Sequence, residues 1–550
     1  MAEFVFRSEY PDVELVNEPL NETLYRVIDR SANQKRTAFV LAETHEVISY
    51  TKLRHAILVI SEYLESCKFG HQDIACAVLK NCWQFSAIFV SIVSRGGVLS
   101  PASPLFTQNE LQKQFIDSNS KIVFCQQYSL ESVLKAAPNC PKLKTIILLD
   151  GPSHGLPFGT IHLNDILKKQ PKCGQPNFCS EIRIKSDILS CTNCFSGVPK
   201  GTMLSHFGLG NLLKIASEHF NTRVLEKIDS NWRFDQEYFI HLLPFYHIYG
   251  KKLFVYFHFF LGFGMMLYGI LNGAQAVILE KFVPELFLQM IKIVPLVPPI
   301  VIFLSRSPLV DKYDLSSLQF LFSGAAPLGK EIIEAVCKRL KSIKQISQAY
   351  GMTEESMCSH LPVFGMENHA AAGRLMANYE MKIIDLETSK SLGYNKIGEI
   401  LIRSPTLMLG YFNNPKATRE CLDSDGYLHT GDIGFQDENG WTYVVDRKKE
   451  LIKVKGMQVA PAELEDLLLA HPKVADCAVI GIADSKTGEK PKAYVVVTAG
   501  SDLTASELMK FVADRVASYK QLAEVEFVSE IEKSPSGKIL RRLLRDRAKL

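Results

Sequence analysis

Residues His429 to Glu465 read HTGDIGFQDENGWTYVVDRKKELIKVKGMQVAPAELE, the densest concentration of potential chemistry in the chain. The stretch holds an acidic turn (Thr430-Gly431-Asp432), an Asp-Arg pair (Asp446, Arg447), and Lys449, Lys453 and Lys455 before one glycine, Gly456. An ionised Asp is acceptor-only and forms short charge-assisted bonds, so Asp432 suits the hydroxyls of a ribose. Arg447 adds a planar donor fork, and the lysines add movable point charges for phosphates. A nucleotide whose phosphates rearrange during a reaction calls for that mixture. Charge runs usually solvate, so taken alone the stretch also reads as an exposed charged hairpin.

Other segments add to it. Ser190–His206, SCTNCFSGVPKGTMLSH, follows an apolar step at Ile188-Leu189 and precedes a helical pattern at Leu209–Ile215. A glycine-bearing loop between strand and helix can turn backbone N–H groups to phosphates, with Lys200 as counter-charge. It is not a Walker A loop. HLLPFYHIYG (241–250) places His247 and Tyr249 at the end of an apolar strand, where a histidine is more often a satisfied core residue than a ligand. SGAAP (323–327) has small residues that let a flat base approach the backbone, and QAYGMTE (348–354) offers Thr353 and a hard oxygen ligand for Mg²⁺, Glu354. SPSGK (534–538) presents Lys538 on a turn.

The elements that must position these residues alternate. Ile74–Leu79 and the step ending at Pro101 read as strands around a helical Trp83–Ser94, and Lys121–Cys125 and Thr145–Leu149 repeat the rhythm. Such alternation favours parallel sheets covered by helices. After Gly398 the pattern changes to short strands (GEILIRSP, MLGYF, Gly440–Tyr443). From Pro461 a helix leads to strands at Ala475–Ile480 and Ala493–Val497 and a helix from Thr504. The expected fold is α/β: a large N-terminal part (1–446) of parallel-rich sheets with helices and a small β subdomain, then a mobile α+β domain (447–550) hinged near 447–449.

Composition excludes several classes. With 62 basic against 59 acidic residues among 550, a net +3 gives no reason to expect a nucleic-acid partner. At 47% hydrophobic and 22% charged, the chain is ordinary for a globular protein. MAEFVFRSEY lacks a secretory h-region, and thirteen cysteines, an odd number, read as reduced thiols. Cys173, Cys179, Cys191 and Cys194 are spaced poorly for zinc. The apolar run Leu253–Leu271 is about long enough to span a bilayer but contains His258 and three glycines. A buried helix followed by a core strand is expected there, and no transmembrane span. The tail Ala548-Lys549-Leu550 is similar to the peroxisomal address Ser-Lys-Leu, which implies an import receptor as partner and the peroxisome as location.

In order, FSGVPKGTMLSH, LPFYHIYG, SGAAPL, YGMTE, YLHTGDIG, DRKKELIKVKG and PSGKILRR resemble the adenylate-forming superfamily of acyl- and aryl-CoA synthetases, 4-coumarate–CoA ligase and firefly luciferase, from about Tyr50 to Arg542. The resemblance implies an acyl-CoA synthetase that makes acyl-AMP from a carboxylic acid and Mg-ATP, then passes the acyl group to coenzyme A. By that match Ser196, Gly197 and Lys200 would face phosphates. Gly324, Ala325, Ala326, Pro327, Gln348, Ala349 and Tyr350 would hold adenine, Asp432 the ribose, Thr353 and Arg447 the nucleotide, and Glu354 the Mg²⁺. Lys538 would bridge the attacking carboxylate and the α-phosphate. Lys449 falls at the hinge, whose rotation would bring Lys453, Lys455 and Gly456 to the thiol substrate. His247 matches a histidine between phosphates and acyl pocket, and Tyr246, Tyr249, Gly250 and Phe322 would line that pocket, suited to a fatty or aryl-alkenoic acid.

One loop departs from the family pattern Ser/Thr-Ser-Gly-Thr-Thr-Gly. This chain has Thr192-Asn193-Cys194-Phe195-Ser196-Gly197, so a glycine has become Cys194 and a hydroxyl residue Phe195. Phe195 cannot donate a hydrogen bond to a phosphate. Two outcomes stay open: an active ligase that holds pyrophosphate by backbone alone, or a protein that only binds an acyl ligand or adenylate. Luciferase-like oxidation of an adenylate is a third chemistry on the same scaffold. Retention of Lys453 and Lys538 favours the active ligase.

Overall fold

The computed structural model describes all residues except 1–2, 158, 195–199, 235–237, 242–244, 246–259, 291–292, 297, 325–327, 367, 455–456, 485–486, 499, 533–538 and 549–550. Its largest sheet has eight strands. Six run parallel, in the spatial order Ile188–Cys194, Val98–Ala102, Ile74–Val78, Ile122–Cys125, Thr145–Leu148 and Thr160–His162. Every residue of IACAV (74–78) and VLSPA (98–102) is buried, the pattern of strands covered on both faces. Helix Trp83–Ser94 is buried on nearly its whole circumference, and its WQFSAIFVSIVS sequence is apolar all round for that reason.

A second layer is split. Strands Tyr238–His241, Gln275–Ile278, Thr37–Leu41 and Val47–Ser49 form one sheet, and Ile293–Leu296, Phe320–Ser323 and Gln345–Gln348 form a parallel three-stranded sheet beside it. Helices 20–33, 50–66 and 83–94 share the main core with both layers. A five-stranded antiparallel sheet follows: Phe6–Arg7, Glu380–Ile384, Gly398–Arg403, Leu428–Gln436 and Thr442–Arg447. From Ile452 onward the chain builds a separate sheet around the long hairpin Val474–Asp484/Gly488–Val497, packed by helices Pro461–Leu469 and Ala505–Ala513. Thr504 and Glu507 close a capping box on the second of these helices, the reciprocal bond that a Thr-x-x-Glu start encodes.

Two sequence expectations change. Ser190–His206 is not one loop between strand and helix: Lys200–Ser205 is an antiparallel strand on Ile188–Cys194, and the helix begins only at His206. Alternating buried Thr202 and Leu204 explain the extra strand. MLGYF does not join the small β unit, because Gly410–Tyr411 pairs with Lys200–Ser205 at the edge of the eight-stranded sheet. The apolar run Leu253–Leu271 lies partly outside the described residues; its end is helical from 260 to Leu271, then strand Gln275–Ile278 follows. Among the described residues no helix is long and apolar enough to cross a membrane.

Candidate functional site

The acidic turn sits on the first strand of an antiparallel pair in which Asp432 lies directly opposite Arg447. Directly opposed residues project to the same face, so the carboxylate and guanidinium meet, Nε to Oδ1 at 3.1 Å. The other carboxylate oxygen, Oδ2, accepts 2.8 Å from the Tyr350 hydroxyl. Burial, then the charge of Asp432, pushes the Tyr350 phenol well above its ordinary pKa, so its proton stays in place to donate. The Asp432 N–H donates to Thr430 Oγ1 at 3.1 Å, and Thr430 donates in turn to the Ile400 carbonyl. Gly431, at φ 71°, makes the turn that a side chain would strain. Asp446 does not serve as Arg447's carboxylate partner in this arrangement. Neighbours along a strand point to opposite faces, and Asp446 instead accepts from the backbone N–H of Arg447 and Ala462.

Glu354 is the middle residue of the short helical turn Thr353–Glu355 and is 6% exposed. Its Oε1 accepts 2.6 Å from the Tyr411 hydroxyl. The same Tyr411 ring lies 4.6 Å from the Lys200 ammonium. Lys200 is therefore placed at the start of a strand, against an aromatic face, rather than in a helix-capping loop. A carboxylate in a nearly dry site is a hard oxygen donor, which fits Mg²⁺. The next residue, Glu355, is fully buried beside Ser359; burial, then the charges of Asp432 and Glu354, pushes its carboxyl well above the usual range. The sequence motifs point to Glu354 and to neither Glu355 nor Tyr411. No local periodicity marks either one, although a second acid next to a candidate metal ligand was a visible signal.

Gln348 ends a strand, and its side chain is committed to the protein. Its Oε1 accepts from Leu328 N at 2.8 Å and its Nε2 donates to His369 O at 2.8 Å. What Gln348 supplies is thus the path of the chain at Leu328, just after the SGAAP segment. Gly324 N donates to Leu296 O, and Ala349 N to Ser323 O at 2.9 Å, which joins the two strand ends. Phe322 is 2% exposed and packs on Phe220, ring centroids 5.1 Å apart, within the main core. Thr353 is buried at the start of the Glu354 turn. Ser196, Gly197, Tyr246, His247, Tyr249, Gly250, Ala325, Ala326, Pro327, Lys455, Gly456 and Lys538 lie outside the described residues.

Around 446–450 the chain passes from one sheet to the other. Lys449 and Lys453 are exposed, whereas Lys448 binds Glu399 at 2.7 Å. Glu399 also raises the pKa of His429. On the far side Arg541 forms an ion pair with Glu465 at 2.6 Å, each side chain 10% exposed, and Arg545 reaches Glu450 at 2.5 Å. These arginines tie the last helix to the start of the C-terminal part.

A family model described as AMP-binding enzyme matches residues 28–412, and one described as AMP-binding enzyme C-terminal domain matches 463–538. The chain is 36% identical over 566 residues to 4-coumarate–CoA ligase 1 of Petroselinum crispum, covering 99% of this chain and 97% of that one. It is 34% identical over 567 residues to 4-coumarate–CoA ligase 1 of Arabidopsis thaliana, covering 99% and 95%. Among solved structures, ATP-bound MatB from Rhodopseudomonas palustris aligns with TM-score 0.83 at 22% identity, over 97% of this chain and 99% of that one. The anthranilate CoA ligase AuaEII in complex with anthranoyl-AMP aligns with TM-score 0.82 at 22% identity, over 98% of each. The architecture expected from sequence, a large α/β part followed by a smaller domain, is the one these structures share.

Proposed function

The chain belongs to the AMP-binding enzyme family, and from that premise we propose that it is an AMP-forming acid–thiol ligase that activates a fatty or aryl-alkenoic acid and transfers it to coenzyme A. The observation that carries the reading is the closed set Tyr350–Asp432–Arg447 a few residues from Glu354. A buried, hydrogen-bonded carboxylate is preorganised for two adjacent hydroxyls, and Arg447 lies beside it with a donor fork. The relatives named 4-coumarate–CoA ligases support an aryl-alkenoic acid.

In this reading the acid's carboxylate attacks the α-phosphate, pyrophosphate leaves, and a thiol then displaces AMP. Mg²⁺, held by Glu354, would supply charge neutralisation on the phosphates. Lys200 approaches the departing phosphates, and Gln348 holds the chain beside the adenine segment 324–327. Lys538 stabilises the displacement at the α-phosphate, a placed charge of a kind whose loss costs on the order of 10²–10³ in rate. Thr353 contacts the nucleotide, and His247 separates the phosphates from the acyl pocket of Tyr246, Tyr249, Gly250 and Phe322. Rotation about Lys449 replaces Lys538 by Lys453, Lys455 and Gly456 for the thiol step. Import into peroxisomes through Ala548-Lys549-Leu550 belongs to the same proposal and rests on sequence; a fluorescent fusion that stays diffuse with the tripeptide free at its C-terminus refutes it.

The deciding experiment is ATP–pyrophosphate exchange on purified protein with pooled fatty and aromatic acids, using Lys538→Ala as blank. Exchange above the blank is expected, and deconvoluting the pool names the acid. Cys194 and Phe195 favour a second reading, an acyl- or adenylate-binding protein without turnover. Exchange no greater than the blank, in protein that still binds AMP, selects it.

A further inference from the structure

Strand Gly410–Tyr411 is only two residues long, yet it touches both halves of the phosphate end of the site. Tyr411 pairs with Thr202 and Gly410 with Met203, so the strand lies along the one that begins at Lys200. Phe412 N donates to Gly201 O at 2.6 Å and Leu409 N to Met203 O at 2.9 Å. Just before it, Met408 N donates to the Glu354 carbonyl at 2.8 Å. The backbone of 408–412 therefore bridges the Lys200 strand and the Glu354 turn.

The conformation of this bridge is specified. Gly410 has φ 134°, and a Cβ there would lie 2.7 Å from Thr418 Cγ2. Thr418 Oγ1 accepts from Tyr411 N at 2.8 Å, and its own proton goes to Asn414 O. Asn414 caps helix Pro415–Cys421 by accepting from Ala417 N. Glycine, threonine and cap together leave Tyr411 little freedom, and its side chain is 6% exposed.

That side chain has two working surfaces. The hydroxyl donates to Glu354 Oε1 at 2.6 Å, a directional bond that orients this carboxylate oxygen. The ring face takes the Lys200 ammonium at 4.6 Å, an attraction that restrains a long flexible chain. Building on the proposed Mg-ATP site, we propose that Tyr411 is a positioning residue that sets the Glu354 carboxylate and the Lys200 ammonium relative to each other. A shared anchor matters more in this chain than in relatives with an intact loop. The resemblance implies a phosphate-facing hydroxyl at the sequence position of Phe195, so Lys200 and a cation held by Glu354 would carry a larger share of the phosphate charge.

The test is calorimetric ATP binding, in MgCl₂ and in EDTA, by the wild type, Tyr411→Phe, Glu354→Gln and the double variant. Tyr411→Phe keeps the ring, the strand and the fold, which an unshifted thermal midpoint checks. Wild-type affinity should rise with MgCl₂. Tyr411→Phe should keep its EDTA affinity within about twofold and lose about tenfold of the MgCl₂ gain, as expected for one hydrogen bond to a charged group. In the Glu354→Gln background Tyr411→Phe should change nothing further. In pyrophosphate exchange it should raise the half-saturating Mg²⁺ concentration with little change in the rate at saturation. An unchanged MgCl₂ gain in Tyr411→Phe, or additive losses in the double variant, overturns the inference while leaving the ligase reading intact. Wild-type ATP binding indifferent to MgCl₂ overturns Glu354 as the metal carboxylate, and this inference with it.

Discussion

The Tyr350 hydroxyl donates a 2.8 Å hydrogen bond to Asp432 Oδ2, joining residues 82 apart in sequence, while Arg447 Nε holds the other carboxylate oxygen at 3.1 Å. With one oxygen committed to each partner, the carboxylate plane is fixed before a nucleotide arrives. Asp432→Asn should weaken AMP binding on the order of 100-fold, because an amide lacks the charge and presents N–H where an acceptor is needed. Tyr350→Phe should weaken it about tenfold, with unchanged thiol saturation in the second step. Calorimetry with AMP checks both; equal effects would mean that Tyr350 and Asp432 act only through the fold.

The altered loop can be restored. Cys194→Gly with Phe195→Thr should raise pyrophosphate exchange by about tenfold, the value of one hydrogen bond to a charged phosphate. A fall in exchange would mean that the loop is tuned to this chain's own substrate geometry.

Arg541 and Glu465 form a buried ion pair, and burial is the larger cause of Glu465's raised pKa. Arg541→Met leaves that carboxylate without its charge partner and should destabilise the C-terminal part by about 3–5 kcal/mol. The more exposed pair Arg545–Glu450 should cost about 1 kcal/mol or less when broken by Arg545→Met. Hydrogen exchange in strand Val474–Asp484 reads both. Similar protection losses in the two variants would refute the difference in burial as its cause.

Burial lowers the pKa of His206, His219 and His241 to about 4 and that of His360 to about 3. The unfolded chain therefore binds more protons than the folded one between about pH 4 and the ordinary histidine value near 6.5. Stability from these groups is complete above about pH 6.5 and is lost as pH falls towards 4. The thermal midpoint should drop steeply across that window. His241 Nε2 is buried with no hydrogen-bond partner among the described residues, so His241→Leu should keep the midpoint at pH 8 and flatten the acid slope. An unchanged slope would remove His241 from this account.

Much of the architecture was legible as periodicity. Trp83–Ser94 is readable as a helix with its bounds, Gly398–Arg403 as a strand, and a helix from Thr504, which is the cap of the helix Ala505–Ala513. Less legible was anything set by a distant partner. The strand Lys200–Ser205 was hidden inside what read as a phosphate loop, because its identity depends on pairing with Ile188–Cys194 and Gly410–Tyr411. MLGYF looked like one more short strand of the small β unit for the same reason. Asp446 and Arg447 looked like a pair because they are adjacent, and the strand's alternation sends them to different partners.

The sequence by itself determined the chemical inventory and the family. Asp432, Arg447, Glu354 and Lys200 stand in an ordered set of motifs, and motif order survives without knowledge of any contact. Only the tertiary structure decided that Glu354 belongs with Tyr411, 57 residues on, and that one tyrosine also faces Lys200. Hydrophobic period records which side of an element is buried, but not which other element covers it. That choice is made by sheet order and register, which bring distant side chains within hydrogen-bond reach only once the whole core has packed.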